Sequence, residues 1–362
     1  MIIGVPKEIK KQEYRVGLVP SAVKQFVDQG HEVFVEKNAG QAIGYSDDSY
    51  KKSGAKIVES AQEVFDRAEM IVKVKEPQLN ECKMLKEGQI IFTYLHLAPD
   101  PEQAKALIES KCVAIAYETI TDERGGLPLL EPMSIVAGRL SVQEGAHYLQ
   151  KHCGGLGRLM GGVAGADPVK VLVIGGGTAG FNAAEVAVGM GANVTILERS
   201  EKRMAFLKGR YGDRANILFS DDDSLTSNLK QADMVIGAVL VPGASAPKLV
   251  RKDHLKTMKN GAVMVDIAID QGGCFETSKP TTHDDPIYEI DGVIHYCVAN
   301  MPGAVPLTST LALNHVTVPY ALQLANKGWE VCMQENSGFK EGLNVCHGKI
   351  TNKGVALSLK MD

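Results

Sequence analysis

Seven cysteines stand at 82, 112, 153, 274, 297, 332 and 346, and no two of them form a C-x-x-C pair. Their wide spacing and odd number point to buried free thiols in a reducing compartment, not a disulfide framework. No apolar run is long enough to span a bilayer; the longest charge-free stretches, 171–184 and 234–247, are short and broken by glycine. The opening M-I-I-G-V-P-K-E meets charge at Lys7 and has no apolar signal core. There is no basic excess, since the net charge is −4, which argues against a nucleic-acid partner. No long low-complexity segment or internal repeat is visible. What remains is ordinary globular composition, 44% hydrophobic and 23% charged over 362 residues. The expectation is a cytoplasmic, soluble protein of two domains with no membrane partner.

Against that background one segment stands out. Residues 169–180 read V-K-V-L-V-I-G-G-G-T-A-G, a buried-strand run entering G-x-G-x-x-G at Gly175, Gly177 and Gly180. A second strand-like run, 193–197, ends at Glu198. Strand, glycine turn, helix, strand and acid make up the dinucleotide fingerprint. Gly175 permits the tight turn, Gly177 lets the backbone approach a pyrophosphate, and Gly180 lets helix and sheet pack closely. The helix beginning near Thr178 and Ala179 offers unpaired N–H groups to phosphate. Glu198 suits the two hydroxyls of an adenine ribose and repels a 2′-phosphate, so NAD is favoured over NADP. Arg199, Lys202 and Arg203 follow at once and pull the other way. A purely structural glycine turn is the competing reading.

The fingerprint lies mid-chain, so about 165 residues precede it. They alternate strand-like runs (2–5, 32–36, 70–74, 90–95, 113–117) with helix-like segments (21–29, 60–67, 101–110). A longer helix, 134–151, leads to a glycine-rich loop or hinge. The alternation resumes at 169–174, 193–197, 234–238, 263–267 and 293–297. After Pro306 strands are expected to stop, and 308–327 reads as a helix broken or kinked at Pro319. This pattern predicts an α/β protein of two doubly wound, Rossmann-like domains with a cleft between them. The domains are 1–128 with 306–362, and 129–305. Ligands belong at the C-terminal ends of the strands.

Four ionisable residues stand at such ends or in the loops that follow. Lys75 closes its strand, His96 follows I-I-F-T-Y-L, Asp270 follows V-M-V-D-I-A-I, and Arg15 lies in the loop after the first strand. Each has a plainer reading: solvated cations for Arg15 and Lys75, a satisfied structural imidazole for His96, a turn brace for Asp270. Spacing alone supports a dinucleotide enzyme with a His/Lys/Asp site and names no substrate.

Several longer segments go further: G-V-P-K-E-I-K-K-Q-E-Y-R-V-G-L, V-K-V-K-E-P, F-T-Y-L-H-L-A, L-P-L-L-E-P-M-S-I-V-A-G-R-L-S-V-Q, V-I-G-A-V-L-V-P-G, D-I-A-I-D-Q-G-G-C-F-E and V-A-N-M-P-G-A-V-P. Through them the chain resembles the alanine dehydrogenase family nearly end to end. Its fold is also similar to the NAD-binding part of proton-translocating transhydrogenase. The resemblance implies NAD-dependent conversion of L-alanine and water to pyruvate and ammonium, reversibly, by a homohexamer. It implies that residues 1–128 and 306–362 carry the substrate site and 129–305 bind NAD. It makes Arg15 and Lys75 substrate-holding residues, and His96 and Asp270 the acid–base pair. Imidazole suits that role because its ordinary pKa lies nearest neutrality. It places Ser134, Glu198, Arg203, Ser220, Val239, Leu240, residues 267–270 (including Ile267 and Asp270) and residues 298–301 (including Val298, Asn300 and Met301) along the cofactor. No metal is implied. A transhydrogenase-like subunit that binds NAD(H) without deaminating anything is the alternative. Within enzymes, glycine/glyoxylate or a saccharopine-type secondary amine are the next substrates to consider.

Overall fold

The computed structural model describes residues 1–239 and 246–360. Its strands run β1 (Ile2–Val5), β2 (Glu32–Glu36), β3 (Lys56–Val58), β4 (Met70–Val72), β5 (Ile90–Thr93), β6 (Val113–Ala116), β7 (Lys170–Ile174) and β8 (Asn193–Glu198). They continue with β9 (Ala215–Phe219), β10 (Met234–Gly237), β11 (Val263–Asp266), β12 (Ile287–Ile290), β13 (Val293–Tyr296), β14 (Leu343–Cys346) and β15 (Lys349–Ile350). The chain divides into two compact units, Met1–Met133 with Val305–Asp362, and Ser134–Ala304.

In the first unit the sheet order is β3-β2-β1-β4-β5-β6-β14-β15. The strands β1 to β6 are parallel, with Ile3 opposite both Val33 and Met70, and Ile91 opposite both Ile71 and Ala114. The central strands β4, β5 and β6 are buried throughout, as parallel strands covered by helices on both faces must be. Phe65, Ile71, Ile91, Leu107 and Ala114 form the centre of one hydrophobic cluster. The second unit repeats the order as β9-β8-β7-β10-β11-β13-β12, parallel except for β12 at the edge. Both sheets therefore reverse strand order once, between β1 and β4 and between β7 and β10. Chain leaving those two strands diverges to opposite faces, opening a crevice at their C-terminal ends.

Both units are doubly wound α/β, as the alternation predicts. The strands do not stop at Pro306, however: β14 and β15 form an antiparallel hairpin on β6. L-N-V-C-H-G-K-I is short, with a turn at His347 and Gly348 in left-handed backbone, so its hairpin signal is slight. Nor does Pro319 break its helix. One helix runs Pro306–Lys327, with Pro319 inside it. The proline costs one backbone bond, and the buried face of Leu313, Val318, Ala321 and Leu324 on either side holds the helix together. The strands β3, β9 and β12 fall outside the expected set; each is short or lies at a sheet edge, where burial patterning is weak.

Beneath the first crevice lies a buried charge cluster. Lys73 Nζ meets Glu8 Oε2 at 3.1 Å and Glu81 Oε1 at 2.6 Å, with none of the three side chains more than 2% exposed. Burial opposes the Lys73 charge, but the two carboxylates outweigh it and hold the ammonium raised. Burial pushes Glu8 up despite Lys73. Glu8 Oε1 also accepts the backbone N–H of Val74 at 2.7 Å and of Lys75 at 3.4 Å. The cluster thus ties the loop after β1 to the end of β4. Replacing Lys73 with methionine leaves two buried carboxylates without a cation. The expected loss is about 3–5 kcal/mol, read from urea unfolding; a loss below about 1 kcal/mol would show that the cluster is not what joins these segments.

Candidate active site

Three candidate residues of the first unit lie in the chain that follows β1, β4 and β5, the strands at and beside the order reversal. Arg15 is only 2% exposed. Its Nε donates to Glu13 Oε1 at 2.7 Å and one terminal nitrogen to Glu13 Oε2 at 2.5 Å, a two-point ion pair along one edge of the guanidinium. The other terminal nitrogen meets Met133 Sδ at 3.2 Å. Burial works to lower the guanidinium, and Glu13 more than offsets it.

Lys75 is 7% exposed. Its backbone is clamped on both sides: its N–H points at Glu8, and its carbonyl accepts Thr93 Oγ1 at 3.0 Å. Its Nζ lies 3.4 Å from Glu76 Oε2. The same oxygen lies 3.6 Å from His96 Nδ1. Glu76 Oε1 pairs with Lys10. Burial opposes the charge on Glu76, but His96, Lys75 and Lys10 together hold it well below the ordinary carboxylate range.

His96 has a backbone φ of 48°, a left-handed conformation that a non-glycine residue adopts only when something holds it there. Glu118 is that restraint. Its Oε1 accepts the His96 N–H at 2.7 Å, and its two oxygens accept the Leu95 N–H at 3.2 and 3.3 Å. The imidazole packs beside Tyr94 with ring centroids 5.6 Å apart. Tyr94 in turn donates its hydroxyl to Leu129 O at 2.6 Å. Lys75, Glu76 and His96 therefore form one cluster, with Arg15 on the neighbouring loop. The result is two cations and an imidazole held by buried or half-buried carboxylates.

In the second unit the glycine turn has the geometry that its spacing requires. Gly175 sits at φ 97°. A Cβ on Gly180 would lie 1.8 Å from the Gly175 carbonyl oxygen, whereas one on Gly177 would meet nothing within 4 Å. Gly177 caps the helix Thr178–Gly189, so Thr178, Ala179 and Gly180 form its first turn. Glu198 ends β8 and braces this turn, its Oε2 accepting the Gly176 N–H at 2.9 Å. Its Oε1 accepts the N–H groups of Arg199 at 2.7 Å and Ser200 at 2.9 Å. Arg203 donates Nε to Gly176 O at 2.5 Å and lies over the Phe206 ring at 4.5 Å. Ser220 follows β9 and donates its N–H to Glu198 O at 3.0 Å.

Val239 follows β10 and lies against Gly175; Leu240 falls outside the described residues. Ile267 follows β11, and Asp270 is exposed in the turn Ile269–Gln271. That turn is tied at both ends by buried Asp266, which accepts Ala268 N–H at 3.1 Å, Cys274 N–H at 2.8 Å and Ser278 Oγ at 2.5 Å. Buried Val298 and Met301 flank Asn300, which is left-handed at φ 64°. Ser134 opens this unit within the helix Glu131–Tyr148. His96 belongs to the first unit and Asp270 to the second. Among the described residues, no three His, Cys, Asp or Glu side chains gather as a metal site. Among the described residues, no helix is long and apolar enough to cross a membrane.

Sequence reasoning missed the acids behind these residues. Glu13 and Glu76 were legible in principle, standing two residues before Arg15 and one after Lys75. Glu8 and Glu118 were not, because their partners lie 65 and 22 residues away.

Comparison with known proteins agrees with this architecture. Residues 4–137 match the model described as alanine dehydrogenase/PNT, N-terminal domain, and residues 141–353 match the C-terminal domain of the same description. The chain is 53% identical to an alanine dehydrogenase of Halomonas elongata over 98% of its own length and 96% of the relative's. It is also 53% identical to alanine dehydrogenase 2 of Staphylococcus aureus, covering 100% of this chain and 97% of that one. A solved L-alanine dehydrogenase superposes with a TM-score of 0.96 at 47% identity over 99% of both chains. A transhydrogenase of Sinorhizobium meliloti, 22% identical over 97% of this chain and 100% of its own, shares the fold with a TM-score of 0.83. By sequence and by structure the chain belongs to the alanine dehydrogenase/PNT family.

Proposed function

We propose that this chain catalyses the reversible, NAD-dependent oxidative deamination of L-alanine to pyruvate and ammonium. The observation that carries the reading is the cluster of Lys75, Glu76 and His96 beyond β4 and β5, with Arg15 on the loop after β1, in a chain of this family. The second unit has the parts that a nicotinamide dinucleotide needs. The open backbone at Gly177 and the first turn of the helix Thr178–Gly189 would hold the pyrophosphate. Glu198 would accept the adenine-ribose hydroxyls, with Arg203, Ser220, Val239 and Asn300 nearby along the strand ends. Arg203 donates to a backbone carbonyl and lies over Phe206, so it is drawn away from a 2′-phosphate, and this favours NAD over NADP. When bound, the nicotinamide supplies the two-electron acceptor for the hydrogen on the substrate's α carbon.

The residues divide the remaining work. Arg15, its plane set by Glu13, would supply the guanidinium that grips the substrate carboxylate. Lys75, nearly buried, donates to the substrate's carboxylate and to the oxygen that forms on the α carbon. Water must add to the carbon–nitrogen double bond left after oxidation, and His96 takes the proton that this water gives up. Asp270 handles the proton on the substrate nitrogen as ammonium leaves.

Alanine-dependent formation of NADH, followed by its near-ultraviolet absorbance, tests the reaction. NADH binding without that activity would leave only a transhydrogenase-like binding subunit. His96→Ala and Asp270→Asn are each expected to lower kcat by roughly 10²- to 10⁴-fold with NADH affinity intact; near-normal turnover in either would refute its role. Arg15→Lys keeps the charge but loses the planar fork. It should raise the KM for pyruvate about 10- to 100-fold with little change in NADH affinity. Glu118→Ala removes the restraint on the left-handed His96. Turnover should fall by roughly tenfold or more as the imidazole loses its fixed aim, and a crystal structure of the variant should show φ relaxed to a negative value.

A further inference from the structure

Glu76 has no part in the chemistry above, yet among the described residues it is the carboxylate that faces both Lys75 and His96. Its side chain is 12% exposed. Neither Glu76 Oε2 nor His96 Nδ1 has a hydrogen-bond partner, although both atoms are buried. They face each other at 3.6 Å, just beyond hydrogen-bond length. One is an anionic acceptor and the other a ring nitrogen that can carry a proton. A small approach satisfies both, but only when the imidazole proton is on Nδ1.

The backbones of both partners are held. The His96 backbone is pinned by Glu118, and the Glu76 carbonyl is held by Gln78 Nε2 at 3.1 Å. Around the ring stand Glu76, the ammonium of Lys75, Lys10 behind Glu76, and the neutral Tyr94. Glu118 meets the ring's own backbone. A carboxylate needed only to anchor Lys10 would have used Oε1 and left Oε2 in solvent. Here Oε2 is buried between the two residues assigned to the substrate.

We propose that Glu76 is a positioning residue for His96: its Oε2 holds the imidazole as the Nδ1–H tautomer and so turns Nε2 toward the reacting atoms. The same oxygen fixes Lys75, so substrate-holding cation and proton-transfer group share one anchor. The proposal rests on the reading of His96 as the proton-transfer residue.

Glu76→Gln is nearly isosteric and tests it. Lys10 holds the amide oxygen at the Oε1 position, so the NH₂ group takes the Oε2 position facing His96 and makes Nδ1 accept, which selects the Nε2–H tautomer. Two readouts are needed. The first is nitrogen NMR of protein labelled with [¹⁵N]histidine, the His96 signals being assigned among nine histidines by their loss in His96→Asn. The second is steady-state kinetics. Expected are Nδ1–H in the parent, Nε2–H in Glu76→Gln, and kcat lower by about 100-fold or more. The KM for pyruvate should rise by no more than about tenfold, since Lys75 loses the same anchor, and NADH affinity should not change, with partial recovery of kcat in Glu76→Asp. An Nε2–H tautomer in the parent overturns the proposal. So does either change in Glu76→Gln without the other. If that variant does not fold, the parent spectrum alone still decides. If instead His96→Ala keeps its turnover, it is the reading of His96 that fails, while the tautomer still reports on Glu76.

Discussion

The constraint on which the rest depends is the reversal of strand order in a parallel sheet. In each unit the chain winds outward from the centre in both directions, so two adjacent strands send their following loops to opposite faces. No helix can cover the gap between those loops. The gap is a consequence of topology and exists before any residue is chosen to fill it. In the first unit it lies beyond β1 and β4, and the loops that leave them carry Arg15 and Lys75. In the second it lies beyond β7 and β10, and the loops carry Gly175 to Gly180 and Val239. One architecture, used twice, is thus furnished in two ways. Ionisable side chains stand at the first, and bare backbone stands at the second.

Cations in such a gap pose an electrostatic problem, and buried acids answer it. Arg15 and Lys73 are almost wholly removed from water, which opposes their charge. Glu13 restores it for Arg15, and Glu8 and Glu81 do so for Lys73. Glu76 serves Lys10, Lys75 and His96 together. Asp266 has the corresponding part in the second unit, where it accepts backbone N–H groups on both sides of the turn bearing Asp270. In each case a buried or nearly buried acid holds a cation, a ring or a turn in place. The acids fix direction as well as charge: a two-point pair sets the plane of the Arg15 guanidinium, and Glu118 sets the backbone angle of His96.

This division explains what could be read from the sequence. The doubly wound class was legible because buried parallel strands are short continuous apolar runs, and I-I-F-T or V-M-V-D can hardly be anything else once glycine and charge bound them. The glycine fingerprint was legible because its residues are local and each has a steric cause. Marginal elements were not: β14, β15 and β12 pair antiparallel at the sheet margins, and β15 and β12 have only one neighbour to constrain the pattern. The site residues at strand ends were visible as positions, but their roles came from resemblance, since spacing alone cannot separate a solvated lysine from a ligand-holding one. The supporting acids were hidden for a different reason. Glu8 meets Lys73 and Glu118 meets His96 only through the stacking of β1, β4, β5 and β6, and a one-dimensional pattern does not show which strands are neighbours.

Glu198 shows how structural and functional readings of one residue can be the same reading. Its two oxygens accept three backbone N–H groups, from Gly176, Arg199 and Ser200. Taken alone, that makes it a brace for the glycine turn. Yet a carboxylate oxygen has more than one lone-pair direction, and the brace fixes both oxygens at the end of β8 beside the loop that would carry a pyrophosphate. A side chain free to rotate would have to be ordered on binding, at a cost in conformational entropy. Here that ordering is complete in the folded chain. The hydrogen bonds that hold the turn are the ones that aim the acid. An aspartate, one methylene shorter, would need the turn and the strand end to stand closer for the same reach. The glycine turn and Glu198 are therefore best regarded as a single preorganised unit.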